Sequence, residues 1–187
     1  MEEKIIVRCP WCGDDTLYMD YHDKEWGKPL HDDQQLFEFL ILESFQAGLS
    51  WITILRKRKN FRKAFDNFDA KKVAKYGDKE IIRLLADSGI IRNRLKIEAA
   101  INNANIFLEI QKEYGSFDKY IWQFVNHKPI LNNRKSMSDI PAITPEATLM
   151  SKTLKKRGFK FIGPTTSYAF MQATGMVNDH FIGCDFY

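Results

Sequence analysis

Cysteine and histidine are scarce in this chain, three and four residues among 187. So few thiols cannot build the disulfide framework of a small secreted scaffold. Long apolar runs are missing as well. None approaches the roughly 18 residues of a membrane-spanning helix. No apolar signal segment precedes the charged opening Met1-Glu2-Glu3-Lys4. Strand-like alternation, internal repeats, low-complexity tracts and linkers that would divide the chain are also lacking. These absences predict one domain over residues 1–187, cytoplasmic, monomeric and without membrane contact. With 44% hydrophobic and 13% aromatic residues, it can bury a sizeable core. A net charge of +4 admits nucleic acid as a partner without demanding it.

What is present reads as all-α. Asp33 is a candidate cap for a helix carrying Leu36, Phe37, Leu40, Ile41 and Phe45, closed by Gly48. Ser50 is placed to cap the next, and Asp69 and Asp78 to cap two short ones, the second running to Gly89. A long helix is expected from Arg92 to Tyr114 and another from Ser116. Thr144-Pro145 pairs a capping residue with proline at the first helical position. A last helix runs from about Pro164 to Thr174.

Four of the scarce residues have metal-ligand character. Cys9 precedes His22 near the front, while His180 and Cys184 lie one helical turn apart near the end. Two thiolates and two imidazoles suit a closed structural zinc site that would clip both ends of the chain together. Ordinary core thiols and imidazoles fit the same spacing equally well. Cys9-Pro10-Trp11-Cys12 also has the spacing of a redox pair, but no strand–helix–strand pattern surrounds it.

Three further features carry chemistry. The turn from Leu84 to Arg92 contains Gly89 and is followed by Arg94, which suits a helical hairpin offering N–H groups and cations to phosphate. A plain structural corner has the same sequence. Basic clusters at Arg56–Lys63, Arg92–Lys96 and Lys155–Arg157 are either solvated helix ends or, if they share a face, a phosphate-tracking surface. Glu43 shares a helical face with Phe39 and Leu40. A carboxylate placed there either reaches solvent or awaits a cationic or amine-bearing ligand.

Arg8-Cys9-Pro10-Trp11, the run Tyr21-His22-Asp23-Lys24-Glu25-Trp26-Gly27, and Leu42-Glu43 through Gln46-Ala47-Gly48-Leu49-Ser50-Trp51 resemble the 3-methyladenine DNA glycosylase I family. So do Lys155 to Phe161 and Asn178-Asp179-His180 with Cys184. The resemblance spans nearly the whole chain. It implies a helix-hairpin-helix repair enzyme that flips 3-methyladenine out of double-stranded DNA, hydrolyses its N-glycosidic bond and releases the free base. Such an enzyme would be nucleoid-associated through its DNA. It implies structural zinc on Cys9, His22, His180 and Cys184. It places Trp11, Tyr18, Tyr21, Trp26, Glu43 and Trp51 at the base, with Glu43 and Tyr21 at the reacting centre. Leu49 would be the wedge filling the gap in the duplex, and Gly89, Arg92 and Arg94 the grip on the backbone. A catalytically silent zinc-stapled binder of damaged DNA is the alternative. Three departures stand out. Ile91 replaces a second hairpin glycine, Asp139 in the stretch from Arg134 to Thr148 lacks the surroundings of the superfamily's catalytic aspartate, and Cys12 adds a thiol beside Cys9.

Overall fold

Short polar side chains before apolar helical patterns decide where the elements begin. The computed structural model describes residues 5–187, and among them lie nine α-helices. These are α1 (Thr16–Lys24), α2 (Asp33–Gln46), α3 (Trp51–Ala64), α4 (Ala70–Val73), α5 (Asp78–Ala86), α6 (Arg94–Tyr114), α7 (Phe117–Ile121), α8 (Pro145–Lys156) and α9 (Pro164–Ala173). Two short parallel strands, β1 (Ile130–Leu131) and β2 (Val177–Asn178), pair Ile130 with Val177. Two residues are too few for alternation to register in a sequence, which is why no strand was expected.

Asp69, Ser116 and Thr144 cap as expected, each accepting from a backbone N–H of the following turn. Elsewhere the boundaries shift. Asp32, not Asp33, caps α2 by accepting from Gln35 N. Asp33 instead accepts from Gln111 Nε2 at 2.6 Å and from the N–H groups of Phe117 and Asp118 at 2.8 Å. It thereby ties the start of α2 to the end of α6 and the start of α7. Gly77 holds the capping position of α5, and Glu80 reaches back to its N–H, leaving Asp78 as a first-turn acid. α6 begins at Arg94 rather than Arg92, capped by Asn93. The unforeseen α1 is capped by Asp15.

Every residue of α2 from Leu36 to Phe45 is buried, so this helix is the axis of the molecule. α3, α6, α7 and α9 all pack on it. A helix apolar on every side must be surrounded, because one exposed face would strand several large side chains in water. Fully buried Phe37, Phe45, Phe61, Phe65, Phe107 and Phe117 fill the layer between α2 and its neighbours. Truncating any one of them to alanine costs about 3–5 kcal/mol. α5 and α6 form the expected helical hairpin. Gly89 is needed there for space, since a Cβ would lie 2.9 Å from Asp87 Oδ1 and 3.1 Å from Asn60 of α3. No described helix is long and apolar enough to cross a membrane.

Candidate active site

α1, α2 and α9 converge with the N-terminal segment on a cavity of about 260 Å³. The sequence explains the convergence. α2 is anchored in the core, Asp15 at the start of α1 pairs with Arg56 of α3 at 2.7 Å, and Gly27 N donates to Gln172 O, fastening the exit of α1 to α9. Trp11, Tyr18, Tyr21, Trp26, Glu43 and Trp51 all line this one cavity. Trp11 meets Tyr18 and Trp26 edge-on, each at 4.9 Å between ring centres, and Tyr21 lies 5.4 Å from Trp51. The result is an aromatic cage with one carboxyl group in its wall. Gln46, Met137, Ile140, Ala169 and Gln172 complete the lining. Gln46, one turn beyond Glu43, and Ala169 with Gln172 were legible as helix-face neighbours. Met137 and Ile140 bracket a single 3₁₀ turn, Met137–Asp139, too short for periodicity to mark.

Glu43 is 4% exposed, and its Oε2 has no hydrogen-bond partner among the described residues. The solvent-facing alternative is therefore excluded. Burial alone raises its pKa to about 8, so the carboxyl holds its proton at neutral pH. Burial, reinforced by the neighbouring Glu43, also pushes the Tyr21 phenol well above its ordinary value, and it stays neutral. Two further polar atoms in this wall, Trp11 Nε1 and Trp51 Nε1, are buried without an acceptor. A folded chain rarely leaves three such groups together unless something else satisfies them. Asp139 does not join them. It is exposed and accepts from the N–H groups of Lys135 and Ser136 at 2.9 Å.

Behind the cage, Cys9, His22, His180 and Cys184 form a buried group whose ligand atoms lie within 4.8 Å of one another. The Sγ of Cys184 is 3.6 Å from His22 Nε2 and 3.5 Å from His180 Nδ1, and Cys9 Sγ is 3.5 Å from His180 Nδ1. A tetrahedral ion at ordinary metal–sulfur and metal–nitrogen lengths sets such edges at about 3.5 Å, so the donors fit. The outward ring nitrogens are fixed as metal-bound imidazoles require: His22 Nδ1 meets Asp23 Oδ1 at 2.8 Å, and His180 Nε2 meets Trp26 O at 3.1 Å. Asp23 is in turn clamped by Arg8. Gly27 makes room for the His180 ring, which a Cβ would approach to 3.0 Å. Cys12 lies outside the group and turns its thiol to Cys9 O at 3.1 Å. The group is coupled to the cage, because Trp26 packs edge-on against His180 at 4.7 Å.

The remaining candidates lie outside the cavity lining. Arg92 and Arg94 are exposed, Arg94 with only a 3.4 Å ion pair to Glu98. Leu49, 41% exposed, tips the turn between α2 and α3. Gly89 does not present a free N–H, as it donates to Asp87 Oδ1 at 2.7 Å. The basic clusters are not a continuous cationic face. Arg58 is buried against Glu25 and Glu38, Arg157 pairs with Glu113, and Lys96 is buried in contact with α2.

A family model described as methyladenine glycosylase matches residues 11–187. The DNA-3-methyladenine glycosylase of Haemophilus influenzae is 52% identical over 180 residues, covering 96% of this chain and 97% of its own length. The crystal structure of a 3-methyladenine DNA glycosylase I superposes with a TM-score of 0.93 at 47% identity, over 96% of this chain and 98% of that one. A Tyr-to-Phe form of such an enzyme in complex with 3-methyladenine gives 0.92 at 41% identity, over 95% and 96%.

Proposed function

The chain belongs to the methyladenine glycosylase family, and on that footing we propose that the aromatic cage is where 3-methyladenine, flipped from double-stranded DNA, is held while its N-glycosidic bond is hydrolysed. The observation that carries this reading is the partnerless Glu43 carboxyl in a wall of indoles and phenols. A base withdrawn from the duplex loses its stacking, and Trp11, Tyr18, Tyr21 and Trp51 replace it. Adenine alkylated at N3 carries a delocalised positive charge within DNA, which ring faces attract.

Glu43 supplies the discrimination. Ionised beside the cation, it accepts from the exocyclic amine and offsets the ring charge. Guanine would oppose it with O6, one acceptor against another. Because the empty site holds the carboxyl protonated at neutral pH, binding the cation releases that proton. The bond to be broken is already weak, since the base departs as a neutral molecule. Positioning and charge stabilisation then suffice without a covalent nucleophile. Tyr21 remains a neutral donor at the reacting centre. Leu49 fills the gap left in the duplex, and Arg92 and Arg94 neutralise flanking phosphates.

Cys9, His22, His180 and Cys184 would hold one structural zinc, which supplies folding energy rather than chemistry. Incubating the protein with methylated duplex DNA and following released base by chromatography tests the activity. Free 3-methyladenine is the expected product. Binding without release would instead favour the silent binder.

A further inference from the structure

One lysine joins two parts of the molecule that the proposed mechanism uses separately. Lys96 stands in the first turn of α6, where its backbone N–H is capped by Asn93 of the hairpin at 3.1 Å. Its side chain is buried and crosses to α2, with Nζ donating to Phe45 O at 2.7 Å and Ala47 O at 2.6 Å. These carbonyls close the C-terminus of α2, where intrahelical donors run out. The usual remedy is a left-handed residue directly after the last turn. Here Ala47 is instead non-helical at φ −47°, ψ 116°, and the left-handed residue is Gly48, one position later. The ammonium takes over that capping role, with a charge that suits a helix C-terminus. Ala47 to Ser50 are otherwise exposed, and Leu49 sits at their tip.

We propose that Lys96 is a positioning residue that ties the phosphate-gripping hairpin to the Leu49 tip, so that the grip on the backbone sets the depth of the wedge. The proposal rests on the assignment of Leu49 as wedge and of the hairpin as grip. Lys96 touches neither base nor phosphate in this arrangement. It carries position from α6 to the end of the helix that also bears Glu43.

The test compares two substrates and the free base, and then runs a double-mutant cycle. Lys96→Met keeps the apolar stem and removes the donors. It should slow single-turnover excision from methylated duplex by about tenfold or more, while excision from methylated single strands falls less than about threefold and free 3-methyladenine affinity holds. In a Leu49→Ala background, which should itself slow duplex excision, Lys96→Met should cost less than about threefold further, because both changes disable one device. The milder Lys96→Gln should show the same duplex-selective pattern at smaller size, and thermal melts confirm that each variant is folded. Equal losses on duplex and single strand, or independent losses in the cycle, would overturn the proposal. A Leu49→Ala variant with undiminished duplex excision would sink the wedge assignment beneath it.

Discussion

Glu43 concentrates the consequences at the scale of single residues. Its carboxyl titrates near 4.5 when unfolded and about 8 when folded, so the folded state binds the extra proton between those values. Stability from this group is complete below about pH 4.5 and is lost as pH rises through 8. The full loss is on the order of 5 kcal/mol. Glu43→Gln, which has no proton to lose, should therefore melt at a higher temperature than the parent at pH 8.5, with the gap closing towards pH 5. A parallel offset at both pH values would show that the carboxyl is ionised throughout. Ligand binding has the opposite sign. A cationic base prefers the ionised carboxyl, so affinity for methylated DNA should rise with pH between 6 and 8, by at most about tenfold per unit. Glu43→Gln should flatten that profile. The carboxylate was legible in the sequence as a misfit on an apolar face. Its protonation was not, because that depends on the absence of any partner from α1, α3 and α9.

At the scale of elements, the helices were legible from their caps, and the errors were local. Adjacent Asp32 and Asp33 offered two capping positions, and the tertiary fold uses both, one as cap and one as staple. Asp33→Ala should accordingly cost about 1–3 kcal/mol, because it leaves two backbone N–H groups without their acceptor. Asp32→Ala should cost about 1 kcal/mol as a lost cap. Chemical denaturation distinguishes the two, and a larger loss at Asp32 would contradict the staple. α1 escaped notice because its aromatic and polar residues serve the cage and the metal-ligand group rather than a simple apolar stripe. The hairpin was visible in Gly89, but its N–H turned out to be spent on Asp87. On the proposed reading, backbone binding then falls to the arginines. Arg92→Ala and Arg94→Ala should weaken binding to damaged and undamaged duplex alike, each reducing the salt slope by about one. A loss confined to damaged DNA would place them at the base instead.

At the scale of the whole molecule, Cys9, His22, His180 and Cys184 meet behind the cage, although they come from opposite ends of the sequence. Spacing alone could not bring these four together, since that depends on the fold placing their donor atoms within 4.8 Å of one another. Elemental analysis should find about one zinc per chain, and Cys184→Ser should lower both zinc content and melting temperature. Cys12→Ser should leave both unchanged. The contact of His180 with Trp26 carries the loss on to the cage, so Cys184→Ser should also weaken base binding, though less than it lowers stability.

The most direct measurement is calorimetric titration of free 3-methyladenine into the zinc-loaded protein and its Glu43→Gln variant at pH 8.5, where the parent carboxyl is largely ionised. If the carboxylate in the aromatic wall recognises the base, the variant should bind more weakly by about 1–3 kcal/mol, with fold and zinc intact. Unchanged affinity with excision abolished would contradict the account and make Glu43 the base that activates water.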